Sequence, residues 1–424
     1  LKQQGDFMAK SQALQVHSAR LWDSLMALAQ IGATAKGGVR RLALSDLDRQ
    51  ARDLVCGWFR EAGLSLRVDQ IGNVFARREG TSPELAAVAT GSHIDTQPSG
   101  GKFDGNYGVL AGLEVVRCLN DAGIRTKRPV EICIWTNEEG SRFTPVMMGS
   151  GVWAGAFSLE QAQQAQDATG MTVLEALRAI GYEGEFACGP SLSYPSYHAY
   201  LEAHIEQGPV LEDAGIPIGE VIGALGQRWF DVRIQGMDAH AGPTPMDLRQ
   251  DALLAAAKVV QEVNAIAIAH HPYGRGTVGS LRVEPNSRNV IPGFVQCSVD
   301  FRHPNLEGLI DMEARLRDFA HRLAAPYRLG IEIEKVSEFA PCQFSSLCLE
   351  AIKESISALG LSSMPIVSGA GHDAVYVARQ SPSAMIFIPC KDGISHNEIE
   401  DALPEHIEGG ANVLLGAMMR LSEH

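Results

Sequence analysis

The sequence predicts an α/β protein in two parts, one domain interrupted by another. Three observations carry that expectation. Short, mainly apolar runs, such as residues 85–90 and 130–136, alternate with amphipathic helical patterns, as in a largely parallel sheet covered on both faces. Beyond about residue 217 the strand patterns change to apolar–polar alternation, which fits antiparallel strands with one solvated face. From about residue 336 the first style resumes. A chain of 424 residues is also long for one core of ordinary size. The expected division is residues 1–216 with 336–424 as one domain, and 217–335 as an inserted α+β module.

Residues 16–31 place Leu21, Trp22, Leu25, Met26 and Leu28 on one side of a helix. Ser45 caps a second helix to about Ala62, and Gly63 ends it. Residues 64–77 alternate around a turn at Gly72 and Asn73, which predicts a hairpin. The apolar strand at 85–90 then opens into a glycine-rich stretch, 91–112, that holds His93, Asp95 and Asp104. Tyr107, Leu110, Ala111, Val115, Cys118 and Leu119 continue it as a helix to about Ala122. The strand at 130–136 runs straight into Asn137, Glu138 and Glu139, and strand–helix–strand predicts a parallel, right-handed unit.

Helices at 158–168 and 172–180 form an insertion without candidate chemistry, and residues 200–208 read as a strand through His204. The inserted module should hold strands at 227–235, 276–283, 293–300 and 329–336, with helices at 251–269 and 306–324. The chain closes with a helix at 347–359, strands at 364–367 and 385–388, a further element at 375–380, and a last helix at 406–422.

A net charge of −14 argues against a nucleic-acid partner, which needs a basic face. No apolar run is read as a membrane span, so no membrane partner is expected. The eight cysteines include no Cys-x-x-Cys pair and sit in apolar patterns, which points to buried thiols in a reducing, cytoplasmic setting. The polar N-terminal stretch lacks the apolar core of a signal peptide, and Met8 is a candidate start.

The chemistry-bearing residues fall at the ends of these elements. His93 and Asp95 leave one strand, Asp104 opens the next helix, and Glu138 and Glu139 leave a second strand. His204 belongs to a third, and His396 follows a fourth across a short loop. In α/β sheets ligands bind at that edge. His93, Asp104, Glu139, His204 and His396 make up the inventory of a two-metal hydrolytic site. If Asp104 bridges, each metal has three protein ligands and one open position, the catalytic pattern. Asp95 is placed to accept the other ring N–H of His93 and fix its tautomer. Neighbours on an extended segment point opposite ways, so a turn must bring both Glu138 and Glu139 to the site. The residues alone leave open which of the two binds and which acts.

Seven segments, met in order, resemble the amidase/hydantoinase/carbamoylase family of di-metal hydrolases over nearly the whole chain. They are Gly-Ser-His-Ile-Asp-Thr at 91–96, Gly-Gly-Lys-Phe-Asp-Gly at 100–105, Asn-Glu-Glu-Gly-Ser-Arg-Phe at 137–143, His-Ile-Glu-Gln-Gly-Pro at 204–209, Gly-Met-Asp-Ala-His-Ala-Gly at 236–242, Ala-Gly-His-Asp-Ala at 370–374 and Ser-His-Asn-Glu at 395–398. That family includes N-carbamoyl-L-amino-acid hydrolases, β-ureidopropionases and allantoate amidohydrolases. The resemblance implies a di-zinc-exopeptidase-like catalytic domain and an inserted dimerisation and lid domain. It implies Asp104 as the bridging ligand, His93 and His204 at one metal, Glu139 and His396 at the other, and Glu138 as general base. It also implies that His240 stabilises the oxyanion, reaching the site from a partner subunit, in a homodimer. Arg302, Gln207 and Asn289 match residues that hold the substrate carboxylate, and Gly371 and Gly369 could bring backbone close to it.

The expected substrate is a small ureido acid: an N-carbamoyl-L-amino acid or N-carbamoyl-β-alanine, with allantoate as the alternative. A non-catalytic dimeric binding protein is the competing class. Histidine and carboxylate ligands suit two divalent ions, zinc first, then manganese, cobalt or nickel. His372 and Asp373 read as supports of the site, His270 and His271 as a surface pair, and Met147 and Met148 as core.

Overall fold

The computed structural model describes residues 14–423, so the N-terminal stretch with Met8 lies outside the described residues. The chain divides into two compact units. One comprises the residues up to Ile222 together with those from Phe344 onward, and the other is Gly223–Gln343.

In the first unit His17 precedes the helix Ser18–Ala29, and the Ser45 hydroxyl caps the helix Asp46–Glu61 by accepting the Asp48 N–H at 3.2 Å. Strands β1 (Ser65–Val68) and β2 (Val74–Arg78) form the hairpin, whose turn is pinned where one Asp69 oxygen accepts the N–H groups of Ile71 and Asn73. β3 (Val88–His93), β4 (Val130–Trp135) and β5 (Ala199–Ile205) are buried along their whole lengths, as strands are when both faces of a sheet are covered. β3 lies parallel to both β4 and β5. The helix Asn106–Asp121 makes the crossover from β3 to β4.

A helix that sequence reasoning left unassigned, Met148–Trp153, follows β4, and Met147 and Met148 are core residues there. The insertion holds Leu159–Gln164 and Val173–Ile180, the latter opened by a Thr172–Glu175 capping box. β6 (Ile218–Ala224) ends the first pass through this unit.

The second unit begins with β7 (Gly226–Gln235) and the short β8 (Ala239–His240). Then come β9 (Arg275–Thr277), β10 (Leu281–Glu284), β11 (Val290–Ile291), β12 (Phe294–His303) and β13 (Gly330–Phe339). The antiparallel order is β10-β12-β7-β13, with β9 also on β12 and β11 paired to β8. The expected strand at 276–283 is thus split into β9 and β10, which both pair with β12. Alternate residues of β7 and β12, among them Phe230, Val232, Ile234, Val295, Val299 and Phe301, pack against the helices Ala252–Ala269 and Leu306–Tyr327. The first of these helices has 18 residues and a mean hydropathy of 1.5, so by length and composition it could cross a membrane, contrary to expectation. Its apolarity has a local use: Ala252, Ala255, Ala256, Val259, Val263 and Ile266 are core residues of this unit.

The chain leaves this unit through β14 (Cys342–Gln343), paired with Gly223 and Ala224. β15 (Ser363–Ser368) and β16 (Ser383–Ile388) then complete the large sheet, in the order β1-β2-β4-β3-β5-β16-β6 with β15 on β6. Its centre is parallel, and its flanks are antiparallel at β1, β2 and β6. The insert therefore starts and ends a few residues later than 217–335. Ile218–Ala224 pairs antiparallel with β16, and β13 runs on to Phe339.

Candidate metal centre

The carboxylate of Asp104 is the hub of the site. It follows β3 through a tight loop in which Gly105 has φ +67°, and a Cβ there would sit 2.4 Å from the His93 ring. His204 Nε2 lies 3.2 Å from Asp104 Oδ1 and His93 Nε2 3.8 Å from the same oxygen. On the other side, His396 Nε2 is 3.3 Å from Asp104 Oδ2 and 3.3 Å from Glu139 Oε2. Two groups result, His93–Asp104–His204 and Asp104–Glu139–His396, each with ligand atoms within 4.8 Å of one another. They share the Asp104 carboxylate.

The histidines are turned for this arrangement. His93 Nδ1 is 2.9 Å from the Asp95 carbonyl oxygen and His204 Nδ1 is 2.9 Å from that of Ile205. With Nδ1 taken by a carbonyl, Nε2 of each ring is the nitrogen that faces the shared carboxylate. Facing acceptors at these distances need a proton or a cation between them, and the donor set fits a divalent metal. Burial alone would lower the His204 pKa, but the hydrogen bond and charge of Asp104 push it up to about 9. His93 goes the other way: burial outweighs Asp104 and lowers it to about 4.

Asp95 has a different task from the one expected. Its carboxylate stands 3.9 Å from His93 Nδ1 and instead accepts the backbone N–H groups of Glu138 and Glu139, each at 3.3 Å. The Asp95 backbone carbonyl, one bond nearer to Cα than the carboxylate oxygens, takes the imidazole instead. Asn137, at φ +53°, reverses the chain after β4, and with Asp95 gripping both following amides Glu138 and Glu139 can each turn to the site. Glu138 Oε2 is 3.5 Å from His93 Nε2. Burial, and then the charges of Asp373, Glu139, Asp95 and Asp104, hold the Glu138 carboxyl well above its usual range.

Several further residues frame the site, and two of them, Glu400 and Glu202, carry no local sequence signal. Glu400 accepts the N–H groups of Phe103 and Asp104 at 3.0 and 3.1 Å on one oxygen and the Ser395 hydroxyl at 2.9 Å on the other. It thus ties the Asp104 loop to the His396 loop, and a Cβ on Gly101 would meet its carboxyl at 2.0 Å. Behind His204, Glu202 accepts the Ser92 hydroxyl at 2.7 Å and the Ala374 N–H at 2.9 Å. His372 is buried with its ring 4.6 Å from that of His204, and Nε2 lies 2.9 Å from the Ser368 hydroxyl. Asp373 accepts the Ser150 hydroxyl.

The remaining candidates are distributed differently. Gln207, at φ +59°, donates from Nε2 to Asp104 Oδ2 at 3.0 Å and to Ser395 at 3.2 Å, beside the Asp104–Glu139–His396 group. Gly371 is exposed, and a Cβ there would meet the Met147 methyl at 2.7 Å. His240, Asn289 and Arg302 all belong to the second unit. His240 pairs with Val290 across β8 and β11, and the carbonyl of Asn289 accepts the Ala241 N–H at 2.9 Å, so these two are neighbours. Arg302 lies at the far end of β12 and donates to Asp300 Oδ2 from Nε at 3.1 Å and from Nη2 at 3.0 Å.

An α/β sheet with paired histidine–carboxylate clusters at its strand ends has the make-up of a metal-dependent hydrolase. The chain belongs to the peptidase family M20/M25/M40, whose model matches residues 89–420. It is 44% identical over 409 residues to an N-carbamoyl-L-amino-acid amidohydrolase of Rhizobium meliloti, covering 96% of this chain and 97% of that one. It is 34% identical over 417 residues to a ureidoglycolate hydrolase of Arabidopsis thaliana, covering 97% and 88%. Among solved structures, an amidase of the hydantoinase/carbamoylase family from Burkholderia multivorans is similar with TM-score 0.93 and 53% identity, covering 97% of this chain and 99% of that one.

Proposed function

We propose that this chain is an N-carbamoyl-L-amino-acid amidohydrolase. The net reaction takes one ureido acid and one water to the amino acid, carbon dioxide and ammonia. The observation that carries the reading is the shared carboxylate of Asp104, with one histidine–carboxylate cluster on each oxygen and the buried Glu138 beside them. The greater identity to the Rhizobium relative than to the plant ureidoglycolate hydrolase favours this substrate class over other ureido acids.

In this reading His93, Asp104 and His204 hold one divalent ion, and Asp104, Glu139 and His396 hold the other, zinc being the first choice for such a donor set. Bound there, the two ions supply Lewis-acid activation of water and of the ureido carbonyl. Glu138 takes the proton of the attacking water and delivers it to the leaving nitrogen. Asp95 keeps Glu138 in place through the backbone. Arg302 receives the substrate carboxylate with its planar fork, with Gln207 and Asn289 as further contacts and Gly371 as close backbone. His240 donates to the developing oxyanion.

His240 and Asn289 lie beyond the Phe294 end of β12 and Arg302 near its other end, and Phe294 to Arg302 alone spans roughly 26 Å at about 3.3 Å per strand residue. That spread supports a homodimer in which one chain's lid residues serve two different sites, His240 completing the partner's. Removing the metals with a chelator should abolish ammonia release from an N-carbamoyl-L-amino acid, and zinc should restore it. Full activity in the demetallated protein would refute the reading.

A further inference from the structure

We infer that Arg249 is a positioning residue for His240: it closes the turn after His240 so that the imidazole is held with Nε2 as its donor. This rests on the oxyanion role read for His240 above. His240 ends the short β8, and the chain turns after it. The Thr244 hydroxyl donates back to the His240 carbonyl at 2.7 Å. Arg249 grips the same turn with two donors, Nη2 on the Ala241 carbonyl at 2.7 Å and Nε on the Thr244 carbonyl at 3.2 Å. Inside the turn, the Gly242 N–H donates to His240 Nδ1 at 3.1 Å.

These bonds decide which ring nitrogen can donate. A neutral imidazole has one N–H and one lone pair. Nδ1 accepts from Gly242, so in the neutral ring the hydrogen is on Nε2. A ring held in this way presents an N–H donor, which is what an oxyanion needs. Side-chain packing does little to hold the turn, because Gly242, Pro243, Pro245, Met246, Asp247 and Leu248 are all exposed. Arg249 makes no ion pair with a carboxylate among the described residues, and its bonds go to two carbonyls of this one turn. A guanidinium used so fixes backbone, since its planar fork sets both carbonyls at once. Without it the turn, the Gly242 N–H and the imidazole loosen together.

The test is a double-mutant cycle in the zinc-loaded protein, read as kcat on an N-carbamoyl-L-amino acid. His240→Ala alone should lower kcat by about 10²- to 10³-fold, the usual cost of one oxyanion donor. Arg249→Met keeps the stem and removes both donors. Alone it should lower kcat by up to about 100-fold, as a small misplacement of a reacting group can. In the His240→Ala background the same change should cost less than about twofold, because the residue it positions is gone. An equal loss in both backgrounds would overturn the role, since a purely structural arginine costs the same with or without His240. Thr244→Val, which removes the hydroxyl tied to His240, is the second variant and decides if Arg249→Met does not fold. The ring gives a reading independent of activity. Nitrogen NMR of histidine-labelled resting protein, with the His240 signals identified by their loss in His240→Ala, should show the neutral ring protonated at Nε2. In Arg249→Met it should show a mixture of tautomers. A neutral ring protonated at Nδ1 in the unaltered protein would overturn the inference. Unchanged kcat in His240→Ala would instead overturn the oxyanion role on which it rests.

Discussion

Glu138 Oε2 lies 3.5 Å from His93 Nε2, both of them buried. Replacing Glu138 with Gln keeps the shape and removes the proton acceptor. The turnover of Glu138→Gln should fall by about 10²- to 10⁴-fold, the usual share of a general base. Metal content measured on the same sample should be unchanged, because Glu138 stands outside both ligand groups. An unchanged rate would remove it from the base role.

Metal binding should release protons, with a sign set by two histidines. His204 is pushed up to about 9 in the metal-free protein, so at pH 7 it carries a proton that a cation must displace. His93 is lowered to about 4 and is already neutral. His396 is raised by its hydrogen bond to Asp104. Apparent zinc affinity should therefore rise with pH up to about 9 and then level off. Titration calorimetry in buffers of different ionisation enthalpy should show net proton release at pH 7. No release would contradict the pairing of His204 with Asp104.

Arg302→Lys tests the carboxylate clamp. Lysine keeps the charge but loses the fork that binds two oxygens at once. KM for an N-carbamoyl-L-amino acid should rise by about tenfold with kcat nearly unchanged, the mark of lost uniform binding. The same variant should show no such penalty on an analogue whose carboxylate is replaced by an amide.

Arg52 and Asp48 form an ion pair with side chains 1% and 0% exposed, and Arg52 also donates to the Gly72 carbonyl at 2.7 Å. Arg52→Leu would leave the Asp48 carboxylate buried without its cation. Stability should drop by about 3–5 kcal/mol, read from the denaturant midpoint.

That pair also marks where sequence reasoning stops. Arg41 and Arg52 look like solvated charges, yet both are fully buried. Arg41 is satisfied by the carbonyls of Leu28, Ile31 and Ile94 and by Asn106, partners that no local pattern reveals. By contrast, His93, Asp104, Glu139, His204 and His396 could be picked out as candidates because each lies at or near the end of a buried strand or opens a helix. The topology that gathers strand ends at one sheet edge then brings these five together. Asp95 departs from its expected role because a carboxylate two residues from a histidine can reach the ring or cross to the next strand. Here a carbonyl had taken the ring. Gln97, which donates to Glu139, and Glu400 give no local sign, because their partners are 42 and up to 297 residues away. Nothing in their own segments sets them apart from ordinary loop residues.

The most direct test of the central claim is ammonia release by the zinc-loaded protein across a substrate panel. The panel holds N-carbamoyl-L-amino acids, N-carbamoyl-β-alanine, allantoate, ureidoglycolate and a dipeptide, with free amino groups counted for the peptide. Turnover should be greatest on N-carbamoyl-L-amino acids and absent on the dipeptide. Hydrolysis confined to allantoate, ureidoglycolate or the dipeptide, or no hydrolysis of any member, would contradict it.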